Sequence, residues 1–343
     1  MTSLRSRSYL ESMAGLSAVV TGGSRGLGLL LAEHLLMRGC AVTIAARNEE
    51  ELGRARKFLT HARSGARVHC VPCDVTDRAS VTSLMAEAAE AHDGVDVVIA
   101  NAGVIQVAPL ESLDVDAFRS TLDTIYLGAL HTSLEALPWL RRSPSGGRLA
   151  LIGSVGGLLA VPHLLPYSCA KAAVAALAEG LHAELRGQGV SVTAVHPGLM
   201  RTGSHLAAEF GGDQAAEFAW FSALAGAPLV SMDARRAADR IVTAVERRRT
   251  RIVLTPMAKA AALAHGVAPA LTTRLSALMA ELLPSAPDRT EGGGGLHKGR
   301  DIAPGPDGTR HARTGRLRDW CGALNDRAAR RLNQRPHNAQ GGR

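Results

Sequence analysis

Ser154, Tyr167 and Lys171 have the side-chain types and the spacing to move a proton at an oxygen atom. Tyr167 and Lys171 stand four residues apart in a helical pattern, so they share one helix face. A phenol ordinarily titrates near ~10. An ammonium beside it stabilises the phenolate and lowers that value. Ser154, thirteen residues before Tyr167 and at the end of an apolar run, can donate a hydrogen bond to a substrate oxygen. Together the three can protonate an alkoxide as it develops, and in reverse Tyr167 acts as the base.

A second pattern lies far upstream. Thr21-Gly-Gly-Ser-Arg-Gly-Leu-Gly28 follows an apolar run and opens a helical one. Glycines at 22, 26 and 28 let the backbone turn sharply and approach a pyrophosphate at the positive end of a helix. Ser24, Arg25 and Leu27 complete the turn. Ala46-Arg47-Asn48 ends the second run, where an acidic side chain would select an unphosphorylated ribose. Arg47 and Arg25 instead favour a 2′-phosphate, which predicts NADP(H) as cofactor. Asp74-Val75 can accept the adenine amino hydrogens. Asn101-Ala102-Gly103 leaves room for the adenosine ribose, although all these residue types are also ordinary turn formers.

Elements must bring these distant patterns together. Short apolar runs, rich in β-branched residues, recur at 16–21, 41–46, 67–71, 95–100, 148–153, 190–195 and 251–254. They alternate with helical patterns at 28–39, 49–61, 80–92, 117–140 and 170–186. That alternation predicts an α/β fold, a Rossmann-type doubly wound parallel sheet. Right-handed crossovers put every strand's C-terminal end on one edge, with the candidate residues along it. The expected organisation is a short N-terminal arm (1–14), one Rossmann domain (15–255), a C-terminal helical extension (256–285) and a basic disordered tail (286–343). Residues 199–233 form a long insertion with aromatics at 210, 218, 220 and 221, placed to fold over the crevice as a lid.

The bulk composition narrows the functional classes. The chain has 343 residues, 46% of them hydrophobic, and can bury a core. Its net charge of +8 resides mostly in residues 286–343, where twelve Lys/Arg stand against six Asp/Glu. The folded body is therefore nearly neutral, which argues against nucleic acid as a partner. Five scattered cysteines predict reduced thiols and a cytoplasmic location. Cys70-Val-Pro-Cys73 lacks companion ligands, so no metal is expected. No run is apolar enough to span a bilayer. The apolar stripe within 256–285 is open to packing on the body, on another subunit or, peripherally, on a membrane surface.

With these motifs in place, residues 16–254 resemble the short-chain dehydrogenase/reductase family. The resemblance adds Pro197-Gly-Leu-Met-Arg-Thr202: it implies that Pro197 and Gly198 border the nicotinamide and that Thr202 touches its carboxamide or the phosphates. It further implies that Lys171 holds the nicotinamide ribose. Helices at 117–140 and 168–186 would form a homodimer or homotetramer. One departure stands out. Family members usually carry Asn three residues before the glycine that is Gly128 here, where it helps hold a water linked to the lysine. This chain has Ile125.

The expected activity is NADP(H)-dependent interconversion of a lipophilic ketone or aldehyde and its alcohol. The alternative is an NADP(H)-binding protein with weak or no turnover because of Ile125. The substrate pocket is expected to use Ser154, His163, Leu164, Met200, Trp220 and Phe221, with His205 as a further polar group.

Overall fold

The structure is a computed structural model that describes residues 12–63, 65–228, 230–285, 295–302 and 316–334. Its strands in chain order are β1 (Ser17–Thr21), β2 (Ala41–Ala46), β3 (Val68–Pro72), β4 (Val97–Ala100), β5 (Gln106–Val107), β6 (Gly147–Ile152), β7 (Val190–His196), β8 (Met200–Arg201), β9 (Glu209–Phe210), β10 (Met232–Asp233), β11 (Arg251–Val253) and β12 (His297–Lys298). Seven of them form one parallel sheet in the order β11-β7-β6-β4-β1-β2-β3. β1, β4 and β6 are buried at every residue, as their continuous apolar character requires.

Helices cover both faces. On one side lie α1 (Gly26–Met37), α2 (Glu49–Ala62) and α8 (Ala234–Glu246), whose Leu29, Leu35, Leu52 and Ile241 pack on the sheet. On the other lie α3 (Arg78–His92), α5 (Gly128–Leu140) and α6 (Leu165–Glu184), with Leu84, Leu137 and Val174 in the core. The doubly wound architecture agrees with the expectation. The order turns back between β1 and β4, and the crevice lies at that switch point.

The expected helix over 117–140 is interrupted. α4 (Val115–Leu122) passes through a π-helical turn at Asp123–Leu127 before α5 begins. A π turn inserts one extra residue per turn, a feature frequent at functional sites and invisible to a 3.6-residue periodicity.

Residues 199–233 contain β8, β9, α7 (Gln214–Gly226) and β10, and Met200, Thr202 and Ala208 among them line the crevice. Phe210 and Phe221 form a third small core with Val107 and Leu164. Beyond β11, α9 (Pro256–Val267) and α10 (Pro269–Ala280) pair as a hairpin. Leu263, Val267, Leu271, Leu278 and Leu282 are exposed there, so among the described residues nothing covers the stripe.

The expectation of disorder throughout 286–343 is corrected where the tail is described. β12 adds antiparallel to β9. The short α11 (Gly299–Ile302) and the long α12 (Arg316–Arg331) pack on α7. Composition misled because the docking rests on a few buried residues, Asn325, Ala329 and Leu332, within a polar segment. Residues 1–11, 286–294, 303–315 and 335–343 lie outside the described residues.

Candidate active site

The strand ends converge on a crevice of about 500 Å³. It is lined by Gly22, Ser24, Arg25, Gly26, Leu27 and Gly28 from the glycine turn, and by Arg47, Asp74, Val75, Asn101, Ala102 and Gly103 from the next strand ends. Ser154, Tyr167, Lys171, Pro197, Gly198 and Thr202 complete the sequence-selected set. Residues nearly two hundred positions apart thus share one cavity, as the parallel topology demands.

The turn is shaped by close packing. A Cβ on Gly28 would lie 2.0 Å from the Gly22 carbonyl oxygen, so any side chain there would break the turn. The first turn of α1 has no side-chain cap at Arg25 and no acidic residue. Its amides therefore present positive potential to the crevice. Asn101 locks the turn: its Nδ2 donates to the Thr21 carbonyl at 3.0 Å and to the Gly22 carbonyl at 3.2 Å. The donor set at that end therefore fits a pyrophosphate.

At the ribose end a neighbour intervenes that the sequence reading missed. Glu51, in the first turn of α2, accepts from Ser24 Oγ at 3.2 Å and pairs with Arg25 Nη1 at 3.1 Å. Burial lowers the Arg25 guanidinium below its ordinary value, with Glu51 opposing and Arg300 and Arg47 adding to the fall. Arg47 is exposed, 4.0 Å from Asp74. Asp74 Oδ1 accepts from the Thr76 amide and hydroxyl, which is turn chemistry.

The catalytic candidates meet at the other end. Tyr167 lies in the first turn of α6 and Lys171 one turn on. Lys171 Nζ donates to the Ile152 carbonyl at 2.6 Å and sits 5.7 Å from the Tyr167 ring centroid. Ser154 ends the β6 segment, accepts the Gly156 amide at 3.0 Å and hydrogen-bonds Tyr167. The expected lowering of the phenol by the ammonium is corrected. Burial raises Tyr167 above its usual value and only the Ser154 hydrogen bond opposes it, while burial pulls Lys171 down to about 8. Ile125 is buried within the π turn, and its neighbour Thr124 lines the crevice.

The substrate candidates divide. Met200 and Ser154 line the crevice, joined by Val104, Ile105 and Ala208. Leu164 and Phe221 are buried in the lid core. His163 Nδ1 lies 2.7 Å from Oε1 of the fully buried Glu217, and Trp220 Nε1 donates to Glu217 Oε2 at 2.6 Å. His163 thus pins the lid to the loop after β6 through Glu217, which Trp220 holds from the same helix. His205, also buried, is held 3.1 Å from Asp326 of α12. His163 was a candidate substrate contact and His205 a further polar group, with an ordinary loop role open for both; here each pairs with a carboxylate more than fifty residues away, a pairing no local motif signals. Among the described residues no cluster of metal-ligating side chains occurs, and no helix is long and apolar enough to cross a membrane.

Sheet order, glycine turn and the serine–tyrosine–lysine cluster define a dinucleotide-dependent oxidoreductase class. Comparison with known proteins gives the family. The short chain dehydrogenase sequence profile matches residues 17–209, and the chain belongs to the short-chain dehydrogenase/reductase family. It is 29% identical over 273 residues to a dehydrogenase/reductase SDR family protein 7-like of Anopheles gambiae, covering 76% of this chain and 82% of the relative. It is 36% identical over 185 residues to an uncharacterised oxidoreductase of Staphylococcus aureus strain USA300, covering 54% of this chain and 78% of the relative. Its fold matches a short-chain type dehydrogenase/reductase from Mycobacterium marinum with a TM-score of 0.61 at 23% identity, over 71% of this chain and 95% of that one. The family uses nicotinamide dinucleotides and acts on small substrates.

Proposed function

We propose that this oxidoreductase uses NADP(H) to interconvert a lipophilic ketone or aldehyde and its alcohol. The observation that carries the reading is the meeting of Ser154, Tyr167 and Lys171 in the same crevice as the glycine turn. The dinucleotide, when bound, supplies or accepts hydride. Gly26 and Leu27 amides would hold its phosphates, Lys171 its nicotinamide ribose, and Arg25 and Arg47 the 2′-phosphate. In the reductive direction Ser154 donates a hydrogen bond to the carbonyl oxygen and Tyr167 delivers the proton. The raised phenol keeps that proton at neutral pH. Val104, Ile105, Met200 and Ala208 supply the apolar wall that supports a lipophilic substrate. A homo-oligomer built on α5 and α6 in the cytoplasm belongs to the same reading, as does peripheral membrane contact through the exposed hairpin.

Glu51 favours a second reading of the cofactor. Its carboxylate already holds Arg25 and would repel a 2′-phosphate while accepting ribose hydroxyls, which suits NAD(H). Oxidation of NADPH and NADH by the purified chain over a panel of hydrophobic ketones and aldehydes separates the readings. The expected result is turnover with NADPH, a further gain in NADPH preference in Glu51→Gln, and a loss in Arg47→Asp. Preference for NADH would move the assignment to NAD(H). Dinucleotide binding without turnover in wild type, restored by Ile125→Asn, would mark a cofactor-binding protein silenced at residue 125.

A further inference from the structure

The chain's own C-terminal segment lies where a dinucleotide's phosphates would sit. The Gly26 amide, at the head of α1, donates to the Leu332 carbonyl at 3.0 Å. Asn333 adopts a left-handed backbone at the end of α12, and its Nδ2 donates to the carbonyls of Ser24 at 2.8 Å and Glu51 at 3.1 Å. Arg54 Nε donates to Asn333 Oδ1 at 3.0 Å. Gln334 then crosses the crevice: its Nε2 is 2.9 Å from where a Cβ on Gly26 would stand, and 3.5 Å from the Thr202 carbonyl.

This placement is built. α12 reaches the site because Gly203 lacks a side chain; a Cβ there would lie 2.3 Å from Ala329 Cα. Asn325 Oδ1 accepts the Gly203 amide at 3.1 Å, Asp326 pairs with His205, and Leu332 joins the main core. The last turn of the helix is thereby aimed at the glycine turn.

We propose that residues 332–334 form a strap that competes in cis with the dinucleotide for the pyrophosphate seat. The inference rests on the dinucleotide reading of that seat. The strap offers neutral carbonyl and carboxamide groups to donors suited to an anion. A phosphate makes charge-assisted hydrogen bonds there, roughly twice as strong as neutral ones. The strap is also imperfectly satisfied: Gln334 Oε1 is buried and has no partner among the described residues. It is therefore a displaceable occupant. It raises the concentration at which the dinucleotide fills the crevice, and any event that draws α12 from α7 lowers that threshold.

The test compares wild type with the full-length Asn333→Ala and Asn333→Ala/Gln334→Ala variants. Both keep α12 and its core contacts. NADPH and NADH binding are titrated separately, and amide hydrogen exchange across 325–334 is followed with and without dinucleotide. A strap that leaves the seat open a tenth of the time implies an apparent Kd about tenfold tighter in both variants. In wild type, saturating dinucleotide would speed exchange across 332–334. An unchanged or weaker Kd in folded variants, or unchanged exchange in the loaded wild type, overturns the strap and leaves the dinucleotide reading intact. If no protein binds either dinucleotide, the cofactor reading falls and the strap with it.

Discussion

The crevice has two walls made in different ways. The wall formed by the strand ends and glycine turn is positioned by backbone ladders: β1 pairs with β2 and β4 residue by residue, and β4 with β6. The opposite wall, lid and tail, has only two-residue ladders, β5–β9–β12 and β8–β10, and is positioned chiefly by a small apolar core and by side-chain pins, His163–Glu217, His205–Asp326 and the Gly203–Ala329 contact. Ladders distribute load over many hydrogen bonds, and pins concentrate it. The chemistry is thus held by the part of the molecule hardest to deform, and access to it by the part most easily released.

Four variations sharpen or break that contrast. The largest effect is expected for Tyr167→Phe, which removes the proposed proton donor from α6, a helix packed on the ladder-built wall. Turnover should fall about a thousandfold, while dinucleotide affinity stays within about twofold and the melting temperature holds. Steady-state kinetics beside calorimetry would check this, and a drop in stability of similar size would show that the ladder wall depends on Tyr167 too.

Glu217→Ala comes next. It leaves the His163 ring and Trp220 Nε1 without their partner in a buried setting, at a cost of about 3 kcal/mol. Thermal unfolding should record the loss. Fluorescence of the tryptophans should report a loosened lid before the sheet unfolds. A single unfolding transition at the wild-type temperature would dissolve the distinction between the walls.

Gly203→Ala forces a methyl into α12 and should cost about 2 kcal/mol, felt by the tail alone. Protease cleavage within 316–334 should accelerate while the strands stay protected. Cleavage at the wild-type rate would mean that the helix shifts to accommodate the methyl.

The smallest effect is on pH dependence. Lys171 carries its charge below about 8 and loses it above. The Tyr167 phenol, raised by burial, stays protonated across the same range. Reductive kcat/KM should therefore be flat through neutrality and fall about tenfold per pH unit above that point. A decline beginning below pH 7 would assign the titration to another group.

The sequence disclosed the ladder-built wall far better than the pinned one. Gly22–Gly28, Ser154, Tyr167 and Lys171 are local patterns whose meaning depends only on the strand or helix that carries them. Seventeen selected cofactor residues all line the crevice. Glu51 escaped notice because a glutamate in the first turn of a helix is ordinary helix chemistry, and only folding brings it to Arg25. The sequence left His163 and His205 open between a ligand and an ordinary loop role because their carboxylate partners are remote. The π turn at Asp123–Leu127 carries no signature in residue type. The tail was opaque for another reason: its net charge and glycine content describe its average, whereas docking depends on Asn325, Ala329 and Leu332 individually.

The order in which the two walls leave the ribosome matters as well. Gln334 follows Val253, the last residue of the seven-stranded sheet, by 81 residues. At typical elongation rates that interval lasts about ten seconds, long enough for a domain to fold during synthesis. Every nascent copy therefore passes through a period in which the glycine turn exists and its competitor has not yet been made. A dinucleotide present in the cell meets the newborn chain on easier terms than the finished one, so occupancy in a fresh molecule can record its birth rather than its equilibrium.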